Sequence, residues 1–396
     1  MPTVRCSTTG CRTSRFTTRV THPFPSGCHE KAVLVRNGVI IGTGRLWHRG
    51  TPVCRLRPLQ HRLPRCGSVL SRALLCSIWQ VICEDDGVRI SVLGVGSVGS
   101  VVAACLAQTE HEIHLHVRGE RGAQLMVEGL SVSGFGLENI PSERYIFSCE
   151  EMELPPVLEN GSDIVVLACK SHVVPELSRL ATTLLTEAGI VLALTNGLGH
   201  VETLSRVVGP RHVMAAVTTH GAFMEADGHV TWAGQGTIGL AIPPLGPSGA
   251  HLERLVNVVD SAGLSPSVHD DAAAMIWEKV LLNVTINPIA ALAGLLNGEL
   301  LEAGLFGTCM MVYREAAQVA ALERVNVPDE IVFEQRLREV LEQTKENACS
   351  MLQDIKAGRR TEIDALNQAV VLRAEEHGYA APLNQLLATL IRACHA

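Results

Sequence analysis

The segment Val88-Arg-Ile-Ser-Val-Leu-Gly-Val-Gly-Ser-Val-Gly99 decides the reading of this chain. An apolar run of strand composition enters a glycine turn, and a helix of small residues, Val98 to Ala107, follows. G-x-G-x-x-G alone is a weak signal, but strand, turn and helix stand here in the order that a dinucleotide-binding βαβ unit needs. Gly94 permits the tight turn, Gly96 lets the backbone approach a pyrophosphate, and Gly99 lets helix and strand pack closely. Ser97 and Val98 open the helix, whose unpaired N–H groups face the phosphates. The next strand, Ile113 to Val117, ends at Arg118, with Arg121 close behind, where an enzyme that uses NAD carries an acidic residue for the ribose hydroxyls. Two cations in that place argue for NADPH. The competing reading is a turn that binds nothing, beside arginines on a solvated face.

Outward from this unit, short apolar runs alternate with helical stretches as far as Val268, the pattern of a parallel sheet covered by helices. The strands expected are Ile90 to Leu93, Ile113 to Val117, Ile164 to Ala168, Ile190 to Leu194, His212 to Thr218 and Thr237 to Ala241. After His269 strand signals vanish. Helical periods cover Ala272 to Val284, Pro288 to Leu296, Gly307 to Glu323, Asp329 to Ala357, Thr361 to His377 and Pro382 to Ala393. The sequence thus predicts an α/β fold, with a Rossmann-type doubly wound sheet over 88–268 and an all-helical domain over 269–396.

Charge divides the chain differently. Residues 1–83 hold thirteen Lys and Arg against the single acid Glu30, whereas the remainder is strongly acidic. An acidic body repels phosphate backbones, so nucleic acid is not expected as a partner. Residues 1–87, rich in Arg, Cys, Ser, Thr and Pro, have the composition of a mitochondrial transit segment, or are a non-native start joined to a domain that begins near Val88. Location is accordingly read as cytoplasmic, or mitochondrial if the transit reading holds. The longest apolar run, Cys66 to Cys83, is broken by Arg72 and Gln80, so no membrane span is expected. Seven of the 13 cysteines precede residue 84, none in C-x-x-C spacing, which argues against both a disulfide framework and a zinc site.

Two polar stripes stand out among apolar helical neighbours, where an unpartnered polar group costs ~1–3 kcal/mol if buried. Lys279, Asn283 and Asn287 recur every four residues and so share one helical face. Asn347, Ser350 and Asp354 fall at i, i+3 and i+7, followed by Thr361-Glu362-Ile363-Asp364. The plain alternatives are a surface pair of Lys279 with Glu278, surface pairs of Glu362 and Asp364 with Arg359 and Arg360, and an ordinary helical Ser350. Lys170 and Asn196 follow expected strands, where an open α/β sheet places its ligands, although Asn196-Gly197 also suits a plain turn. His172, His200 and His220 follow similar strand ends and are read as structural or supporting.

With these residues set out, 88–396 closely resembles the ketopantoate reductase (2-dehydropantoate 2-reductase) family. The most specific pieces are Ser350-Met-Leu-Gln-Asp-Ile355 with Thr361-Glu-Ile-Asp364, joined by Trp277-Glu-Lys279, Asn283-Val-Thr-Ile-Asn-Pro288 and Asn297-Gly-Glu-Leu300. The resemblance implies a Rossmann domain plus a helical domain like that of 6-phosphogluconate dehydrogenase. It implies NADPH-dependent reduction of 2-dehydropantoate to (R)-pantoate, in pantothenate and coenzyme A synthesis, without a metal. Lys279 is then the general acid and Glu362 the holder of the substrate hydroxyl; Asn283, Asn287 and Ser350 bind substrate, with Ser350 on the carboxylate. Lys170 and Asn196 stand where cofactor and substrate meet, and Arg118 contacts the 2′-phosphate. Thr195 departs from the Gln or His common before Asn-Gly in the family, and the N-terminal extension is atypical. Two further readings stay open: a reductase of another branched 2-oxo acid, and a non-catalytic NADPH-binding regulator. The expected assembly is a monomer or homodimer.

Overall fold

Near-continuous runs of Val, Ile and Leu form strands buried on both faces, as a parallel sheet under helices requires. In the computed structural model β1 (Arg89–Leu93) occupies the sheet's interior, with Ile90, Val92 and Leu93 wholly buried. The structure describes residues 88–150, 152–225, 228–302 and 304–394, together with three short strands in a separate unit, Met1–Asp86. Those strands, Phe16–Thr17, Leu34–Arg36 and Val39–Ile40, pair antiparallel. The transit-like or non-native reading of residues 1–87 otherwise lies outside the described residues.

Around β1 stand β2 (Glu112–Val117), β4 (Tyr145–Cys149), β5 (Ser162–Leu167), β6 (Leu185–Ala193), β7 (Val213–Thr218), β10 (Ile238–Ala241) and β11 (Pro266–Val268). Their order is β11-β10-β7-β6-β5-β1-β2-β4, parallel throughout except for β7 with β10. The chain winds from β1 outward through β2 to β4, then returns to β5 and winds the other way. That reversal between β1 and β5 is the switch point at which doubly wound sheets open a crevice for ligands. A smaller sheet of β3 (Val132–Ser133), β8 (Gly221–Met224) and β9 (Val230–Gly234) lies apart, and these strands, with β4 and β11, are too short or too polar to announce themselves in the sequence. Helices α1 (Ser97–Ala107), α2 (Gly119–Glu128), α3 (Val174–Leu184), α4 (His200–Val208) and α5 (Gly249–Ser261) complete this half.

Four strands are also tied by buried polar groups. Ser91 Oγ meets His114 Nδ1 and Ser162 Oγ, both at 2.7 Å, and His114 Nε2 meets Ser148 Oγ at 2.9 Å. Burial, with the His116 and Arg89 charges, pushes the His114 pKa down to about 3 and keeps the ring neutral. Such a satisfied network fixes strand register in a way that apolar contacts alone do not.

The remaining chain is helical: α6 (Ala272–Ala293), α7 (Glu299–Glu302), α8 (Phe306–Leu322), α9 (Glu330–Gln343), α10 (Ser350–Lys356), α11 (Asn367–Glu376) and α12 (Pro382–Ala393). Three expectations are corrected here. The break expected before Pro288 does not occur, and α6 runs through it for 22 residues. Proline removes the N–H that the Val284 carbonyl would have received, and buried Asn367 donates Nδ2–H to that carbonyl instead, at 3.1 Å. The long helix expected over Asp329 to Ala357 is two, because the carbonyls of Lys345 and Asn347 accept from Gly298 and Asn297 N–H, at 3.2 and 3.0 Å, and leave the helical ladder. The helix expected from Thr361 begins only at Asn367. Among the described residues no helix is long and apolar enough to cross a membrane.

Candidate active site

The three glycines of the opening motif occupy three different environments. Gly94 has φ +98°, and a Cβ there would lie 2.7 Å from the Cys169 backbone. A Cβ at Gly99 would lie 2.0 Å from the Gly94 carbonyl oxygen. At Gly96 it would meet nothing within 4 Å. Gly96 is also the N-cap of α1, with no side-chain cap and no acid in the first turn, where Ser97 and Val98 are half-buried. The first N–H groups of α1 are therefore left to an external acceptor, in front of the one glycine that faces open space.

Arg118 caps the start of α2, exposed, and its guanidinium has no ion-pair partner among the described residues. Arg121 differs. It is half-buried, with one guanidinium nitrogen against the Met224 sulfur and another 3.3 Å from Ser100 Oγ, and burial lowers its pKa. Of the two arginines noted in the sequence, Arg121 is committed to packing and Arg118 is not.

Lys170 and Asn196 follow β5 and β6 and reach the helical half. Lys170 Nζ lies 2.6 Å from Asp354 Oδ2 and 3.8 Å from Glu362 Oε2. Glu362 Oε2 accepts from Asn196 Nδ2, and its Oε1 accepts from the Ser171 N–H, both at 3.2 Å. Glu362 is 6% exposed. Burial pushes its pKa above the usual carboxylate range, while Lys170, Asn196 and the Ser171 N–H pull the other way. Glu362 is thus no surface pair, whereas Asp364 is, held by Arg360 at 2.9 Å and Arg392 at 2.5 Å. The turn after β6 is moulded to this segment: Leu198 N–H donates to the Ala365 carbonyl at 2.8 Å, and a Cβ on Gly197 would lie 2.5 Å from the same oxygen.

On α6, Lys279 and Asn283 are half-buried and Asn287 is 7% exposed. None of the three side chains has a hydrogen-bond or ion-pair partner among the described residues, Glu278 included. Burial, and the Arg336 charge after it, lower the Lys279 pKa. Lys279 lines a narrow cavity together with Thr195 and Asn196. Asn196 thereby connects the two residues singled out as catalytic, touching Glu362 directly and sharing a cavity wall with Lys279. Ser350 is exposed in the first turn of α10, whereas Asn347 lies in the loop before it, so the stripe of Asn347, Ser350 and Asp354 is not one helical face. Asp354 is the residue whose part went unassigned in the sequence. It is buried, and besides Lys170 it holds Arg359 Nε at 3.1 Å. An acid in the apolar frame Met351-Leu352-Gln353-Asp354-Ile355 was its available signal. Of the three histidines, His220 is structural, with its ring between the Leu264 carbonyl and the Gly236 N–H. A cavity of about 630 Å³, lined by Leu198, Gly199 and His200 directly after the Asn196 turn, has none of Lys170, Lys279, Asn283, Asn287 or Glu362 in its wall.

The model of the family described as Ketopantoate reductase PanE/ApbA matches residues 90–244, and that of its C terminal matches 271–395. The chain belongs to the ketopantoate reductase family. A 2-dehydropantoate 2-reductase of Archaeoglobus fulgidus is 32% identical over 305 residues, covering 77% of this chain and 97% of its own. One from Halobacterium salinarum is 33% identical over 309 residues, covering 77% and 98%. Among solved structures, a family ketopantoate reductase from Ralstonia eutropha matches with a TM-score of 0.69 at 26% identity, over 78% of this chain and 98% of that one. D-mandelate dehydrogenase with NADH and anilino(oxo)acetate matches with a TM-score of 0.69 at 25% identity, over the same shares.

Proposed function

We propose that this ketopantoate reductase family member reduces 2-dehydropantoate to (R)-pantoate with NADPH, the step that supplies pantoate for pantothenate and coenzyme A. The observation that carries the reading is the face of α6, where Lys279, Asn283 and Asn287 point three unpartnered polar groups in one register. On an otherwise apolar helix, a half-buried lysine and two carboxamides left open without a partner among the described residues form a face that a small polar molecule completes. Residues 88–268 hold the dinucleotide and 269–396 supply the substrate face.

NADPH fits the residues present, since Gly94 and Gly99 set the close turn, Gly96 leaves open space, Ser97 and Val98 carry N–H groups of the uncapped helix start for its pyrophosphate, and Arg118 is uncommitted for its 2′-phosphate. When bound, its nicotinamide supplies a hydride to C2 of the oxo acid. Lys279 presents an ammonium to the ketone oxygen, where negative charge develops, and gives up its proton as the alcohol forms. Its lowered pKa makes that proton easier to release. In its ionised form Glu362, held by Lys170 and Asn196, accepts from the substrate hydroxyl. Asn283 and Asn287 orient the oxo acid, and Ser350 donates to its carboxylate.

The assay is absorbance-monitored NADPH oxidation with ketopantoate, against 2-oxoisovalerate and against NADH. Selective turnover of ketopantoate with NADPH is expected. Preference for another 2-oxo acid would reassign the substrate, and tight NADPH binding without turnover of any would make the chain a regulator.

Two substitutions probe parts of this site. Arg118→Ala should weaken NADPH about tenfold or more, as loss of a charge-assisted contact of ~1.5–3 kcal/mol implies, and leave NADH unchanged; fluorescence titration of each dinucleotide measures it. Lys170→Met removes the chief influence holding the Glu362 pKa down. Because the ionised carboxylate is the active form, kcat/KM for the oxo acid falls as pH drops through that pKa, and the acid limb of the profile should move to higher pH in the variant. An unmoved limb would show that Glu362 is not the group titrating there.

A further inference from the structure

The 630 Å³ cavity beside the Asn196 turn is unused by this chemistry. Its apolar lining includes Leu198, Ile276, Trp277 and Val325. Its polar side is built around Arg373 on α11. One guanidinium nitrogen bonds Glu323 Oε1 and Oε2 at 2.7 and 3.0 Å, and the other bonds Glu202 Oε1 at 2.8 Å. The two carboxylates are not equivalent. Glu323 also accepts from Trp277 Nε1 at 3.1 Å and its side chain is 15% exposed, whereas Glu202 has a side chain 56% exposed and is held through Arg373. Glu202 is the more exposed and more lightly held partner. Arg324, exposed beside it, has no ion-pair partner among the described residues.

His200 also lines the cavity and is 4% exposed, with both ring nitrogens turned away from solvent. Burial lowers its pKa to about 4, against the Glu202 charge and a backbone hydrogen bond at Gly197, so the ring is neutral near pH 7 and forms part of the wall.

We propose that this cavity binds a small amphipathic carboxylate, with its apolar body against Trp277 and Ile276 and its carboxylate replacing Glu202 on Arg373, beside Arg324. Arg373 suits the exchange, because a guanidinium accepts one carboxylate in place of another without losing its fork geometry. Glu202 lies on α4 and Arg373 on α11, so an occupant also trades away an ion pair between the sheet half and the helical half. His200 and Ile276 line the narrow cavity beside Lys279 as well, which gives the occupant a shared wall with the catalytic side.

Calorimetric titration of octanoate into the full chain, with NADP⁺ at saturation, tests this whether or not the chain turns over ketopantoate. One site per chain is expected. Glu202→Gln, which removes the competing carboxylate, should tighten binding about fivefold, and Arg373→Gln should weaken it at least about tenfold. Val325→Trp, which fills the cavity without touching the ion pairs, should abolish it. Absence of saturable binding up to about 10 mM octanoate, or binding that ignores these three substitutions, would overturn the proposal.

Discussion

Lys279→Ala should lose ~10²- to 10⁴-fold in turnover, the usual contribution of a positioned general acid, while NADPH affinity stays within about a factor of two. The structure adds a second expectation that a merely structural lysine would not meet. Lys279 is half-buried without a counter-charge among the described residues, and burial together with Arg336 lowers its pKa, so its ammonium is disfavoured in the folded chain. Removing it should leave thermal stability unchanged or raised. Lys279→Met, which keeps the aliphatic stem among its neighbours, separates charge from packing: the same loss of turnover with a raised Tm marks a residue kept for chemistry. Turnover near that of the parent chain in either variant would remove Lys279 from the role of acid. The pH profile carries the matching sign. With Lys279 as the acid, activity should need the ammonium and fall as pH rises through a pKa below the ordinary lysine value.

How far the sequence foretold this site depends on the kind of interaction at each residue. The glycine turn was legible because its requirements are those of the backbone, and spacing alone states them. Lys279, Asn283 and Asn287 were legible because a helix converts a four-residue interval into a shared face. Glu362 was harder. Arg359, Arg360 and Asp364 around it have the look of a solvated segment, and only contacts to Lys170 and Asn196, each more than 160 residues away, make it a buried carboxylate. Arg121 misled for the opposite reason, since its partners Ser100 and Met224 come from elements that a local reading does not bring together. The same physics explains the helix boundaries. Pro288 reads as a break until Asn367 is found on the carbonyl it leaves free, and Asn347 reads as helical until Asn297 is found on its own carbonyl. Local periodicity sets where helices can form, and distant hydrogen bonds decide where they stop.

The glycine turn allows folding and binding to be separated by two substitutions three residues apart. Gly99→Ala brings a methyl to 2.0 Å from the Gly94 carbonyl oxygen, a contact no rotamer change relieves, because the neighbour is backbone. Either α1 moves off β1 or the turn opens. Overpacking of this kind costs ~1–3 kcal/mol, occasionally more, and dinucleotide binding should be lost with it, since the turn is what moves. Gly96→Ala has no such clash: φ is −81°, open to any residue, and nothing lies within 4 Å of the added methyl. Its thermal stability should therefore stay within about 1 kcal/mol of the parent chain. The methyl instead fills the space in front of the uncapped α1 terminus, where a pyrophosphate must come within hydrogen-bond distance of backbone N–H groups. NADPH affinity should fall by ~10- to 100-fold, about the value of one or two good hydrogen bonds to a charged group. Thermal denaturation and dinucleotide titration of the two variants read both quantities. A Gly96→Ala chain that binds NADPH as tightly as its parent would show that the phosphates lie elsewhere, and the assignment of the turn would fall with it.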